Sequence, residues 1–364
     1  MRKVRNLLAG FALLLPLPAL AVPSTAVSVF GQVGTPTVLD RPALAALPQT
    51  STTQTYTAGG TPVTDTFTGP TLNAVLAVAG GVVLTPGVRN DILHKYVIAT
   101  GSDGYKAVIA AGELDPRFGN KPDLVAITDS LGRLPGSDGV ARTVAAGDRA
   151  GGRYVSNLVS LEVGSAPLQP GTGGGTTTQF VVQGAVGTVM TFDLPALQAL
   201  TPYTQTVTYG SGSGTVTDTY TGALLWDVLG RAGITTNPAI KNDILRKLVA
   251  VTGSDGYQVD FAAGELSPAF GNEPILVAYS DTAGQLSGSA GFARLVVPGD
   301  TAGGRYVSNL ASVTVLDVTT VPEPGSLLVL GTGLGGLILL RRRKPDPRRR
   351  WGWTWPGAVP YPQA

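Results

Sequence analysis

Long stretches of this chain are written twice. Residues 90–93 and 242–245 both read NDIL, 100–105 and 252–257 both read TGSDGY, and 147–158 matches 299–310 at eleven of twelve positions. Each pair is 152 residues apart (103 to 255, for example), while Asp65 and Thr68-Gly69 recur at Asp218 and Thr221-Gly222 after 153. Solenoid repeats have periods of about 20–50 residues, so this one is a duplicated domain. The chain has to build one fold twice, over 27–163 and 179–318, each near the common domain size. Residues 164–178, GSAPLQPGTGGGTTT, have no core-forming periodicity and read as a flexible linker.

Within each copy, residues 72–79 and 224–232 have apolar side chains at helical spacing. They end at Gly80 and Gly233, which suit a helix C-terminus. Residues 95–99 and 247–251 are β-rich runs into the GSDG turn, and 105–109 and 257–261 leave it with apolar alternation, a hairpin pattern. Further strands are expected at 124–128, 275–279 and 293–297, with closing strands at 155–163 and 307–315. The predicted class is α+β, two tandem copies of a mixed, β-rich domain.

The two ends address the chain. Arg2, Lys3 and Arg5 precede an apolar stretch over 7–20 and the small-x-small site Ala19-Leu20-Ala21, a signal peptide over 1–21. Pro16, Pro18 and a length short of the roughly 20 residues of a span argue against a first membrane helix. At the other end Val321-Pro322-Glu323-Pro324 precedes an apolar run over 325–340, followed by Arg341, Arg342, Arg343 and Lys344. Cations beyond a hydrophobic segment keep that side cytoplasmic. Such a run covers about 24 Å of a hydrocarbon core roughly 30 Å thick, a short anchor.

The Val-Pro-Glu-Pro signature, short span and arginine cluster resemble the PEP-CTERM sorting signal over 321–344. That resemblance implies recognition by an exosortase, removal of the tail, and delivery to the outer surface of Gram-negative, exopolysaccharide-producing bacteria. Unlike most such proteins, this one continues through a cytoplasmic tail over 345–364 with Trp351, Trp353 and Trp355.

The chain has no cysteine, which removes disulfides, thiolate metal sites and cysteine nucleophiles together. Three of its 26 Lys and Arg lie in the signal and seven follow Leu340, leaving 16. Glu323 and Asp346 leave 22 of the 24 carboxylates in the body. The exported part is mildly acidic, which argues against nucleic acid as a partner. His94 is the single histidine, and Arg246 replaces it in the second copy, so it reads as an exposed polar residue. Histidine-pair metal sites and Ser-His-Asp catalysis are unattractive on that count.

The order TG-x-x-L-x-x-V-L, a strand into DGY, AGEL-x-P, a strand, then RLVVPGD-x-x-GGRYVSNL resembles the molybdopterin-binding domain of sulfite-oxidase-type oxidoreductases. The second copy keeps more of it, through Trp226, 293–300 and 303–309, while 142–146 replaces the RLVVP run in the first. The resemblance implies a molybdenum centre bound by a dithiolene pterin and one protein cysteine, near Thr57 in the first copy and 208–210 in the second. Threonine lacks the acidity and softness of a thiolate. The expectation is therefore no cofactor and no catalytic residue; the alternative is a molybdopterin-dependent oxidoreductase or an accessory subunit of one.

A polar set recurs in both copies: Asp103, Tyr105, Glu113, Asp148, Arg153 and Asn157, then Asp255, Tyr257, Glu265, Asp300, Arg305 and Asn309. Asp103, Tyr105, Asp148, Arg153, Asp255, Tyr257, Asp300 and Arg305 are the candidate ligand-binding residues, with the arginines able to fork onto an anion. The competing reading makes them scaffold: Asp-Gly suits a turn, glutamate suits a first helical turn, and an Arg-Asp pair fixes a loop. GSDG and PGD lack the regular ligand offsets of a calcium loop, so no metal is expected. The expectation is an exported, envelope-associated, non-catalytic binding or structural protein, with an exosortase and extracellular polysaccharide as its partners.

Overall fold

The computed structural model describes residues 23–318. The expected signal peptide, membrane segment 325–340 and tail 345–364 lie outside the described residues. Among the described residues no helix is long and apolar enough to cross a membrane.

The first half runs β1 (Ala26–Gly31), β2 (Thr37–Asp40), α1 (Arg41–Ala45), β3 (Thr50–Ala58), β4 (Thr61–Gly69), α2 (Leu72–Val78), β5 (Lys95–Gly101), β6 (Lys106–Ala110), α3 (Ala111–Leu114), β7 (Leu124–Ala126), β8 (Thr128–Asp129), β9 (Arg142–Val144) and β10 (Leu158–Ser165). The second repeats that order: β11 (Gln179–Gly184), β12 (Met190–Asp193), α4 (Leu194–Gln198), β13 (Tyr203–Ser211), β14 (Gly214–Leu224), α5 (Leu225–Ala232), β15 (Lys247–Gly253), β16 (Gln258–Ala262), α6 (Ala263–Leu266), β17 (Leu276–Asp281), β18 (Gly284–Gln285), β19 (Arg294–Val296) and β20 (Leu310–Asp317). The fold is mostly β, with short helices.

Each half holds a five-stranded sheet of the same order, β2-β1-β10-β5-β6 and β12-β11-β20-β15-β16. The closing strand pairs parallel with the first strand of its half and antiparallel with the strand that enters the GSDG turn. The second sheets are β3-β4-β8 and β13-β14-β17-β18, with β7-β9 beside the former and β19 pairing β17 in the latter. The expected strand 124–128 is thus split into β7 and β8. The closing strands begin at Leu158 and Leu310, three residues later than the pattern predicts, because Asn157 and Asn309 turn the chain with φ of 49° and 50°.

Two helices escape the periodicity. At α1 and α4 the Asp40 and Asp193 carboxylates accept from the N–H groups of Ala43 and Ala196 at 2.9 Å, with proline in the first turn. An aspartate cap followed by proline is their trace in the sequence.

The halves do not stand apart: the described residues, 23–318, fall in one compact unit. Phe118 of the first half lies in the core of the second, and Phe270 of the second lies in the core of the first. The segment expected to be a loose linker is fastened down. The N–H groups of Thr172 and Gly174 donate to the Ser254 carbonyl at 2.9 and 2.8 Å, and Ser254 Oγ donates to the Gly175 carbonyl at 2.7 Å.

Candidate functional site

Of the duplicated polar residues, Glu113, Asp148 and Arg153 converge on one another where the halves meet, as do Glu265, Asp300 and Arg305, while Asn157 and Asn309 bond to backbone within their own halves. α3 and α6 begin directly at the ends of β6 and β16, which places Glu113 and Glu265 at the junction. Arg153 is fully buried (0% exposed). It donates to both Glu113 oxygens at 2.9 and 2.8 Å and forks onto Asp148 at 2.8 and 2.5 Å. Arg305 donates to one Glu265 oxygen at 2.7 Å and forks onto Asp300 at 2.8 and 2.5 Å. The arginine stems cross the junction: a Cβ on Gly112 would lie 3.2 Å from Arg305 Cδ, and one on Gly264 2.9 Å from Arg153 Cδ.

Lys121 joins the two clusters through an ion pair with Glu273 and a 3.4 Å approach to Glu113. Six carboxylates (Glu113, Asp123, Asp148, Glu265, Glu273 and Asp300) thus share three cations. Burial opposes ionisation of Glu113, but the charges of Arg153 and Lys121 outweigh it and bring its pKa down to about 2. Burial, and then the Glu113 charge, push both Asp123 and Glu265 up to about 7. Burial also raises Asp148 and Asp300 above the usual carboxylate range against the pull of their arginines.

The two candidate tyrosines tie the halves together symmetrically. Tyr105 Oη donates to the Gly152 carbonyl at 2.7 Å and accepts from Asn242 at 3.0 Å; Tyr257 Oη donates to the Gly304 carbonyl at 2.6 Å and accepts from Asn90 at 2.9 Å. Asp103 and Asp255 accept from the N–H groups of Tyr105 and Tyr257 at 2.9 and 3.0 Å, closing their own turns. His94 is buried (4% exposed), not the exposed residue its lone occurrence implied, and its Nε2 lies 2.9 Å from the Gln258 carbonyl across the junction.

Tyr105 and Asp103 also line a cavity of about 520 Å³, with Tyr56, Thr57 and Tyr154 of the first half and Asn242 of the second. Its smaller counterpart, about 300 Å³, holds Asp255, Tyr257, Tyr306 and Asn309, and Gly175 of the fastened segment contributes to its wall. Arg133 and Arg142 of the first cavity are already paired, with Asp65, Asp129 and Asp138. Thr57, where the family resemblance implies cysteine, has its N–H bonded to the Arg149 carbonyl at 2.8 Å and offers only a hydroxyl. With no cysteine sulfur anywhere in the chain, these residues do not fit a molybdenum centre.

Sequence reasoning found Arg153, Asp148 and Glu113 with their counterparts, but missed Lys121, Glu273, Asn90 and Asn242. NDIL was read as a mark of duplication alone, although its asparagines carry the cross-junction bonds. Lys121 and Glu273 break the repeat, and that break is their signal.

Residues 320–344 match the PEP-CTERM protein-sorting motif. The chain therefore carries a signal for export and exosortase-mediated sorting in the cell envelope. No curated protein sequence matches it. Among solved structures, the sulfane dehydrogenase SoxCD from Paracoccus pantotrophus is similar over 42% of this chain and 41% of that one, at 18% identity and a TM-score of 0.33, a likeness too slight to carry an argument.

Proposed function

We propose that the chain is a non-catalytic binding or structural protein of the cell envelope, built from two sulfite-oxidase-like domains without the molybdenum-ligating thiol. The observation that carries this reading is the closure of the two arginine clusters. Arg153 and Arg305 spend their guanidinium donors on buried carboxylates of their own halves, so neither faces an open site. What stays open is the cavity beside Tyr105, within the size range of small-ligand sites. Its tyrosine rings, amides and paired arginines suit a neutral, hydroxyl-rich ligand such as a segment of extracellular polysaccharide. Two such sites on one anchored chain would raise apparent affinity for a repeating polymer.

Two measurements test this. Neutral oligosaccharides should raise the melting temperature of the purified chain, and Asp103→Ala should remove the shift. Stoichiometric molybdenum in protein isolated from its natural host would overturn the reading in favour of an oxidoreductase or its accessory subunit.

A further inference from the structure

β3 and β13 are the end strands of their sheets. Along an antiparallel ladder, residues alternate between exchanging backbone bonds with the partner strand and turning them away. The Thr57 N–H goes to the Arg149 carbonyl, away from β4, and Pro62 opposite it has no N–H to offer. Counting back in twos, the N–H and C=O of Ser51, Thr53 and Thr55 also face outward. In β13 the Gly210 N–H goes to the Thr301 carbonyl, so those of Thr204, Thr206 and Thr208 face outward in turn. Among the described residues these six backbone positions meet no main-chain partner outside their own hairpin, the Thr206 carbonyl accepting only from the adjacent Gln205 amide at 3.0 Å, and all six residues are exposed.

Native edges are blunted with charge, proline or bulges. β3 (TSTTQTYTA) and β13 (YTQTVTYGS) carry neither charge nor proline, and their pairing runs without a bulge over nine residues each. Toward the hairpin partner, each presents three hydroxyl rungs. Ser51–Thr68, Thr53–Thr66 and Thr55–Thr64 lie at 2.7, 2.8 and 2.9 Å; Thr204–Thr221, Thr206–Thr219 and Thr208–Thr217 lie at 2.8, 2.7 and 2.9 Å. Every rung keeps its hydroxyls in both halves. The opposite face drifts, from Thr52 to Gln205, Gln54 to Val207 and Phe67 to Tyr220.

We propose that β3 and β13 are docking edges through which one copy of this chain adds strands to another. An incoming strand must satisfy three outward backbone positions and set uncharged, β-compatible residues beside Ser51, Thr53 and Thr55. The chain's own edge strands do this, because a hydroxyl at every second position repeats the rung already made inside the hairpin, a favourable cross-strand pair. Two such edges on each copy let association propagate as an open assembly. This inference is independent of any ligand in the cavities.

The absence of cysteine supplies the test. In the full chain purified in mild detergent, Thr53→Cys or Thr206→Cys alone should give a disulfide-linked dimer on oxidation, and the two together a ladder of higher species. Val189→Cys, 64% exposed and off both edges, is the control. Lysine at both positions, T53K with T206K, should leave the chain sedimenting as a monomer with its melting temperature unchanged. The proposal fails if the edge cysteines cross-link no faster than the control. It also fails if the unmodified chain sediments as a monomer at every soluble concentration, or if association survives the lysines.

Discussion

Lys121 and Glu273 occupy the same place in the two halves, 152 residues apart, and form an ion pair with each other. Identical copies would bring like charges together there. One charge reversal turns a repulsive self-contact into an attractive one and lets the junction hold Glu113 ionised beside Lys121.

That relationship predicts a coupled double mutant. Lys121→Glu should destabilise the chain by roughly 3–5 kcal/mol, because it leaves buried carboxylates facing one another. Glu273→Lys should also destabilise, and the two together should recover at least half of the combined loss. Chemical denaturation of the four proteins measures the coupling, and simple additivity would contradict it.

Arg153→Met and Arg305→Met should each cost about 3–5 kcal/mol by stranding a glutamate and an aspartate in a dry interior. Urea unfolding is the check. A ligand-binding arginine would give a different result, with lost binding and intact stability.

Close packing across the junction leaves no room for a methyl group at two glycines. A Cβ on Gly152 would lie 2.2 Å from Phe270 Cε1, and one on Gly304 2.1 Å from Phe118 Cε1. Gly152→Ala and Gly304→Ala should each lower stability by about 1–3 kcal/mol through displacement of the rings. Thermal melts of the two variants should fall by similar amounts, given the matched geometry.

Asp260 makes stability fall as pH rises from about 4 to about 8. It is fully buried, and among the described residues its one hydrogen-bond partner is the Gln258 amide at 2.8 Å; burial pushes it up to about 8, from 3.8 in an unstructured chain. Below about pH 4 both states hold the proton, and the group leaves stability unchanged. As pH rises, the unfolded chain releases the proton first, so stability declines across the window up to about pH 8, by an amount on the order of 5 kcal/mol. Glu265 and Asp123, both near 7, act in the same direction. Glu113 acts the other way, losing its stabilisation only as pH falls from about 4 toward 2. Asp260→Asn should flatten the decline in melting temperature between about pH 4 and pH 8 while changing little at or below about pH 4.

The repeat, the GSDG hairpins, α2 and α5 were legible because turn chemistry and periodicity are local. Packing of the halves on each other was not, because it depends on surfaces that only the folded strands assemble. Arg153 and Asp148 stand out in the sequence as a recurring pair. The third partner, Glu113, lies 40 residues away, and whether the arginine faces a ligand or a carboxylate is decided by the turn from β6 into α3. His94 was misplaced for the same reason: the Gln258 carbonyl that buries it comes from the other half. The linker's composition promised freedom, but backbone bonds to Ser254 need no particular side chains and leave no mark in the sequence.

Scanning calorimetry of the Arg305→Met variant beside the unmodified chain tests most directly whether the duplicated polar residues are the scaffold that makes one unit of two halves. The account predicts a single cooperative transition for the unmodified chain, and for the variant a fall of the whole transition to lower temperature. Two independent transitions, or a variant that melts where the unmodified chain does, would contradict it.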